Sequence, residues 1–488
     1  MTLNKTLQSG TFAALWMLLG GVFIFLREIF LAAQFGVGNP DANIAIALFL
    51  IPDFIISLLI GSSLSSVLIP AFSRMDKERA PAFLWQCIKL VVPVFTLIAI
   101  GTGFIAGSSF ISIALFSLPL TAAALLLSAY LEQRGKILAP GFSNIIFNVV
   151  IIGALWFLPA ELIMLSFMVV FASLARLGVS FIAFLSSRYE RQKSSEKKNE
   201  ADKLFMAAYA QNMLSNMLGI FILYTPFAMI AFLSPSEFAL FNYSFKLIIF
   251  PSLVLQAIIQ MYLRPWFVNI RARSNAVAPR EYSYSLKVAW VASLSVALCV
   301  SLVSNDIAQI CFGYGKMALR DTRQIGELLA IGIWSAPCIV MILVWQQLFY
   351  AYHKQKAAWF SNIALALFVM PLCWVGYIMG DSEGLLYGFV GAQLIPFFIL
   401  ALTGKIFLFK ASASILNSAV IYFKMSLAVL FAFIPFAFIY DSAFLNEYEN
   451  ILLAVMIAAA CTFAGLYIDK TIRKEIHKAI ANKYIAGM

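Results

Sequence analysis

Charge is what this chain has least of. Charged residues fill 12% of its 488 positions, about half the share found in an ordinary soluble domain. Hydrophobic residues make up 62%, and the mean hydropathy is +0.91. Those values exclude a water-soluble fold. Histidine occurs only as His353 and His477, both in polar flanks, so no imidazole stands in an apolar run to serve as a general base. The six cysteines (Cys87, Cys299, Cys311, Cys338, Cys373 and Cys461) are scattered singly, with no CxxC spacing. A disulfide framework and the common zinc motifs are therefore excluded, and these thiols read as small core residues. Glycine-rich phosphate loops, HExxH and aspartate-rich metal motifs are missing too. No enzyme activity, metal or cofactor is expected.

Apolar runs of 20 or more residues recur along the whole length, each long enough to cross a hydrocarbon core of about 30 Å. The alternating pattern of a membrane β-barrel is absent. The expected fold is an all-α polytopic membrane protein with about fourteen transmembrane helices. Their expected positions are 12–35, 42–70, 84–106, 109–131, 138–158, 162–187, 205–233, 238–263, 286–312, 326–352, 357–379, 384–404, 415–440 and 450–468. Lys5 precedes an apolar run containing Arg27 and Glu28 with no small-residue cleavage site, so the first run is expected to be a span and not a cleaved signal.

The formal net charge of +11 does not point to nucleic acid, because the basic residues cluster in alternate short loops. One side holds Lys5, Arg74, Lys77, Arg134, Lys136, Lys354, Lys356, Lys405 and the basic tail. The other holds Asp41, Glu161, Glu237, Asp381, Glu383, Asp441, Glu447 and Glu449. Only Lys316, Arg320 and Arg323 break the alternation. The positive-inside rule then puts both termini of this multi-pass membrane protein in the cytoplasm.

The hydrophilic stretch around 188–204 divides the spans after the sixth. The expected organisation is a six-helix bundle at 1–187, a cytoplasmic linker at 188–204 and a second six-helix bundle at 205–410. Two additional transmembrane helices follow at 411–468, with a basic amphipathic tail at 469–488. An internal echo supports two related bundles: LIPDFIISLL at 50–59 pairs with IFPSLVLQAI at 249–258, and Phe142-Ser143-Asn144 pairs with Phe360-Ser361-Asn362. Repeats of this kind, with a site between them, are a common transporter plan.

With the loop charges placed, Arg27, Arg176 and Lys246 are singled out among the basic residues inside spans. Arg27 lies eight residues before the end of its span and Lys246 eight after the start of its own, so both sit about 12 Å deep. Intramembrane charges mark polar interiors or substrate paths. Two cations at matching depth suit an anionic headgroup, with arginine gripping phosphate bidentately and lysine acting as a point charge. The competing reading pairs each with a carboxylate as structural glue. Arg176 has no counterpart and reads as a snorkelling side chain. Glu28 is Arg27's neighbour but about 100° round the helix, so the two are not expected to face each other. Asp53, about 16 Å deep, reads as either a structural counter-ion or a coupling residue, and Asp41 as either a helix cap or a gating contact. Gln211, Asn212, Ser215 and Asn216 form one polar face, read as interhelical hydrogen bonding or as cavity lining by Asn212 and Asn216.

These residues also resemble a family. Phe25-Leu26-Arg27-Glu28 with Phe35-Gly36-Val37-Gly38, Asp41, Pro52 and Pro70 is similar to the first hairpin of the MviN/MurJ flippases. So is the run Ala239-Leu240-Phe241-Asn242-Tyr243-Ser244-Phe245-Lys246 with Pro251 and Pro265. Gly135-Lys136, Pro140, Asn148, Phe312-Gly313-Tyr314-Gly315 and Phe349-Tyr350-Ala351 follow in family order. The resemblance implies the multidrug/oligosaccharidyl-lipid/polysaccharide exporter fold and the movement of an undecaprenyl-diphosphate-linked saccharide, lipid II or a related precursor, by alternating access. It implies Arg27 and Lys246 as substrate-binding cations, with Glu28, Asp41 and Asp53 as coupling or counter-ion residues. It further implies a coupling ion or the membrane potential as driving force, and membrane lipids and glycan-assembly proteins as partners. Two family cations are replaced here, by Gly21 and Ile56, while Asp53 stands in place of asparagine. A leaner cationic cavity follows. The alternatives are a MATE-type multidrug or cation antiporter and a non-transporting scaffold of an envelope glycan assembly complex.

Overall fold

The structure, a computed structural model, describes residues 3–59, 79–134, 138–187, 201–258, 279–351, 355–407, 415–442 and 446–469, with the single positions 68, 72 and 136. Among the described residues every regular element is helical. Within the described residues, all fourteen expected spans fall on helices. In order these are α1 (Leu3–Phe35), α2 (Pro40–Leu59), α3 (Arg79–Ala106), α4 (Ser109–Leu115), α5 (Ser117–Gln133), α6 (Leu138–Phe157), α7 (Leu162–Ser187), α8 (Ala201–Leu233) and α9 (Phe238–Ile258). They continue as α10 (Pro279–Leu302), α11 (Ser304–Phe312), α12 (Leu319–Gly332), α13 (Ser335–Ala351), α14 (Gln355–Phe407), α15 (Ile415–Ser442) and α16 (Glu447–Tyr467). Eight helices or helix pairs among the described residues are long and apolar enough to cross a membrane, or nine if the pair α12–α13, bent by 46°, is one span. The tail beyond 469, most of the expected linker and the side chains of Asn212 and Asn216 lie outside the described residues.

These sequences form helices because apolar runs in a membrane must satisfy every backbone N–H and C=O internally. Where the expected spans 109–131 and 286–312 are single runs, the chain breaks into α4–α5 at Phe116 and α10–α11 at Val303. The long α14 is two helical arms joined at Gly380–Asp381, where the backbone leaves helical geometry. This matches the expected turnover between 379 and 384. The arms approach so closely that a Cβ on Gly376 or Gly384 would collide with the other's backbone, which only glycine permits. Large apolar side chains such as Phe104, Phe157 and Phe232 are more than four-fifths exposed, as lipid-facing surfaces are.

The chain divides into two compact units. Unit 1 comprises Met1–Asn242 with Tyr314–Met317, and unit 2 comprises Tyr243–Gly313 with Ala318–Met488. The boundary falls inside α9. In unit 1, α6 packs on α1 and α7, α5 on α3 and α7, and α2 on α1, α4, α5, α7 and α8. An edge-to-face aromatic chain runs Phe72–Tyr130–Phe184–Trp85 through its core. In unit 2, one apolar cluster joins α10, α13 and the second arm of α14 through Leu286, Trp345, Phe349 and Leu400. A second joins α10, α15 and α16 through Val291, Leu298, Met425, Val429 and Ile457.

Candidate functional site

The site of interest in unit 1 is built on the hairpin α1–α2. Helix α1 stops at Phe35 because Gly36 and Gly38 take φ of 69° and 77°, a region that side chains with a Cβ rarely enter. Its last carbonyls are then satisfied from outside the helix. Asn39 Nδ2 donates to Phe35 O at 3.1 Å, and the Lys316 backbone N–H donates to Ala33 O at 2.9 Å. Gly315, at φ 66°, passes so close to Ala33 that a Cβ would strike the Ala33 carbonyl. The Gly-Tyr-Gly turn is thus needed to bring Lys316 to that helix end. The Oδ1 of Asn39 accepts from Ala42 N–H at 2.7 Å, so Asn39 closes α1 and opens α2 with one amide. This corrects the capping reading of Asp41: Asn39 is the cap, and Asp41 sits exposed in the first turn of α2. There a negative charge only complements the helix dipole.

Eight residues inside α1, Arg27 and Glu28 are each 3% exposed and form an ion pair, Nη2 to Oε1, at 2.7 Å. The expectation that neighbours 100° apart could not face each other is corrected. The long arginine stem folds back toward the carboxylate because, in a dry interior, an unpaired charge costs far more than bending a flexible side chain. The guanidinium also lies 4.5 Å from the centroid of the Phe49 ring on α2, a cation–π contact that the adjacent apolar packing strengthens. Glu28 Oε2 accepts a long 3.4 Å hydrogen bond from Asn242 Nδ2. Arg27 Nε is buried without a hydrogen-bond partner.

Arg176 on α7 does not simply snorkel. Its Nε is buried and likewise lacks a hydrogen-bond partner, and it lies within electrostatic reach of Asp53 on α2. Asp53 is exposed, next to buried Pro52. Tyr224 on α8 feels Asp53, Arg27 and Glu28 together, and its ring packs 5.0 Å from Phe54. Tyr224 is thus within electrostatic range of Arg27, Glu28 and Asp53, and Arg176 within range of Asp53. Arg27 and Arg176 each keep one buried N–H without a hydrogen-bond partner. Such an arrangement can hold an anion by exchanging an internal carboxylate for an external phosphate. Lys246 is half-buried on α9, within unit 2.

Sequence reasoning missed Asn39, Phe49, Tyr224 and Asn242. None of the four carries a charge or a spacing that would single it out. No group of three or more His, Cys, Asp or Glu side chains able to hold a metal occurs among the described residues.

Comparison with known proteins follows the same lines. The family model of the lipid II flippase MurJ matches residues 31–459. The fold is similar to that of a solved structure of lipid II flippase MurJ in an inward closed conformation, with a TM-score of 0.71 and 15% identity over 96% of this chain and 99% of that one. It is also similar to an inward-facing multidrug resistance MATE family transporter of the MOP superfamily (TM-score 0.62, 15% identity, 81% and 96% covered). A mutant of the Vibrio cholerae MATE transporter VcmN gives a TM-score of 0.60 at 15% identity, with 84% and 98% covered. No curated protein matches the chain by sequence. At such identities the structures speak for the fold alone, but the family model spans most of the chain: this multi-pass membrane protein belongs to the lipid II flippase MurJ family.

Proposed function

We propose that the protein moves an undecaprenyl-diphosphate-linked saccharide, lipid II or a related cell-wall or polysaccharide precursor, from the inner to the outer leaflet of the bacterial inner membrane. Arg27 and Lys246 are the cations that grip the diphosphate, and two six-helix bundles at 1–187 and 205–410 rock in alternating access, with both termini in the cytoplasm. The observation that carries this reading is Arg27 itself. It is a buried mid-helix guanidinium with one N–H unused and a neighbouring carboxylate as its resident counter-ion. A charge kept so deep is costly unless it serves a polar path, and arginine's fork suits a phosphate.

Glu28 keeps Arg27 neutralised when no substrate is bound. An arriving diphosphate competes for the same guanidinium, so the grip is reversible, which a carrier requires. Asp53 plays the same part toward Arg176, and a coupling ion or the membrane potential resets the balance. No bond of the substrate is made or broken.

The test is reconstitution in proteoliposomes with a fluorescent lipid-linked precursor, read by its accessibility to a reagent confined to one side. Precursor movement that needs Arg27 and Lys246 is the expected result. Cation or drug efflux with no precursor movement would replace this reading by that of a MATE-type antiporter. Neither activity, together with loss of glycan assembly on changing exposed loops alone, would replace it by that of a scaffold.

A further inference from the structure

Asn242 is a residue that packing alone does not explain. It is fully buried on α9, at 0% exposure, between Phe241 and Tyr243, which are buried as completely. A branched apolar side chain would occupy the same place without bringing polar atoms into it. The amide instead carries an Oδ1 that is buried with no hydrogen-bond partner, and an unmet buried acceptor is costly. Its Nδ2 donates to Glu28 Oε2, but at 3.4 Å this bond is long and weakly made. A contact so stretched fastens little, so the position is not accounted for by the bond it makes in this structure.

Glu28 shows when a shorter bond would be needed. Its Oε1 accepts from Arg27 Nη2 at 2.7 Å, and both side chains are 3% exposed. That charge-assisted bond is the strong one of the site. A phosphate that takes the Arg27 fork removes it from the carboxylate. An ionised carboxylate in so dry a place then needs another donor or a proton. The Asn242 amide is at hand as the donor. Its Oδ1 is held by no hydrogen bond, so the amide can turn with the carboxylate as Glu28 swings away from Arg27.

We propose that Asn242 is the positioning residue that receives Glu28 when a phosphate group takes its place on Arg27. The 3.4 Å contact of the substrate-free site shortens to a full hydrogen bond, Glu28 stays ionised, and the exchange takes up no proton. Asn242 acts through Glu28 and does not itself touch the phosphate. The inference rests on the flippase reading and deepens it, by giving the displaced carboxylate a place to go.

A proton is the alternative partner for Glu28, so pH separates the two cases. The charged and titratable groups near Glu28 include Arg27 beside it and Tyr224 on α8. Lys246 stands one turn past Asn242 on α9, Asp53 is exposed on α2, and α6 carries no charged residue.

Binding is measured on the full-length protein in nanodiscs, as quenching of a fluorescent undecaprenyl-diphosphate monosaccharide. This probe is a diphosphate diester and stays fully ionised through the neutral range. Between about pH 6 and 8 the wild-type affinity should stay flat. Asn242→Ala should bind about tenfold more weakly at neutral pH. Its affinity should also fall by up to about tenfold per unit of rising pH, because Glu28 must now take up a proton to leave Arg27. Asn242→Leu repeats the loss of the donor with the space filled, and Asn242→Gln, which keeps an amide, should restore the flat profile. Adding Glu28→Gln to Asn242→Ala should abolish the slope. A flat profile in Asn242→Ala overturns the inference. So does a wild-type profile as steep as the variant's, or a slope that survives Glu28→Gln. The expected profiles without precursor movement in proteoliposomes count against the flippase reading alone. Movement together with a flat Asn242→Ala profile sinks this inference and leaves that reading standing, and a wild-type protein that binds no precursor at any pH ends both.

Discussion

The two units keep their charges in different ways. In unit 2, Lys287, eight residues inside α10, meets Asp469, just beyond α16, at 2.6 Å, and Asp306 accepts from Tyr440 at 2.9 Å and from Asn450 at 3.0 Å. All of these groups but Lys287 lie near helix ends, and each joins helices that already share an apolar core. In unit 1, Arg27 and Glu28 sit mid-helix and almost fully buried, and Arg27 and Arg176 keep donors unpaired. A charge at a helix end can be satisfied cheaply and acts as a fastener. A charge held in a span with donors to spare is destabilising in itself and points to a ligand. The difference separates structural from functional polarity within one chain.

The largest stability effect should come from breaking the unit 1 pair. Glu28→Gln strands the Arg27 charge in a dry interior and should destabilise the protein by about 3–5 kcal/mol, measured by thermal unfolding in detergent. The double change Arg27→Met with Glu28→Met should recover most of that loss, because replacing both partners leaves no orphan charge, while transport stays abolished. Recovery of transport in the double variant would mean that the pair is only structural.

Unit 2 should respond more mildly. Lys287→Ala removes the ion pair to Asp469 at a site only 14% and 7% exposed, for a loss of about 2 kcal/mol. Transport per folded molecule should not change. Smaller again is Asn39→Ala, which removes both caps of the first turn and should cost about 1 kcal/mol. Hydrogen exchange should show faster fraying at the Phe35 end of α1 and at the start of α2, with the rest of the chain unaffected. If Asn39→Asp, which keeps the cap acceptor of α2 and loses the amide donor, restores protection of α2 but not of α1, the dual role of this amide is established.

The fold was legible because membrane crossing reduces to run length. Apolar stretches of 20 or more residues could be little else but helices, and their described residues are helical. Breaks inside runs were less legible: Val303 interrupts a run with no neighbouring glycine or proline, so only packing reveals it, whereas the break at Phe116 precedes Pro119, whose ring clashes with the carbonyl of Leu115. The site was half legible. Arg27 stood out because a charge in a span is rare. Its pairing was misjudged because helical geometry fixes where Cβ atoms point, not where a long side chain can bend when water is excluded. Asp41 drew attention through its charge, yet the neutral Asn39 does the capping because its amide both donates and accepts. Tyr224 could not be read from spacing at all, since its role depends on α8 packing against α2.

The sharpest single comparison is the transport rate of Arg27→Ala against Lys287→Ala, in proteoliposomes holding equal amounts of folded protein and a fluorescent lipid-linked precursor. Losing a charged phosphate contact of about 1.5–3 kcal/mol should slow the Arg27 variant by roughly ten- to a hundredfold, while the Lys287 variant keeps the wild-type rate. Equal rates for the two variants would contradict the assignment of Arg27 to the substrate.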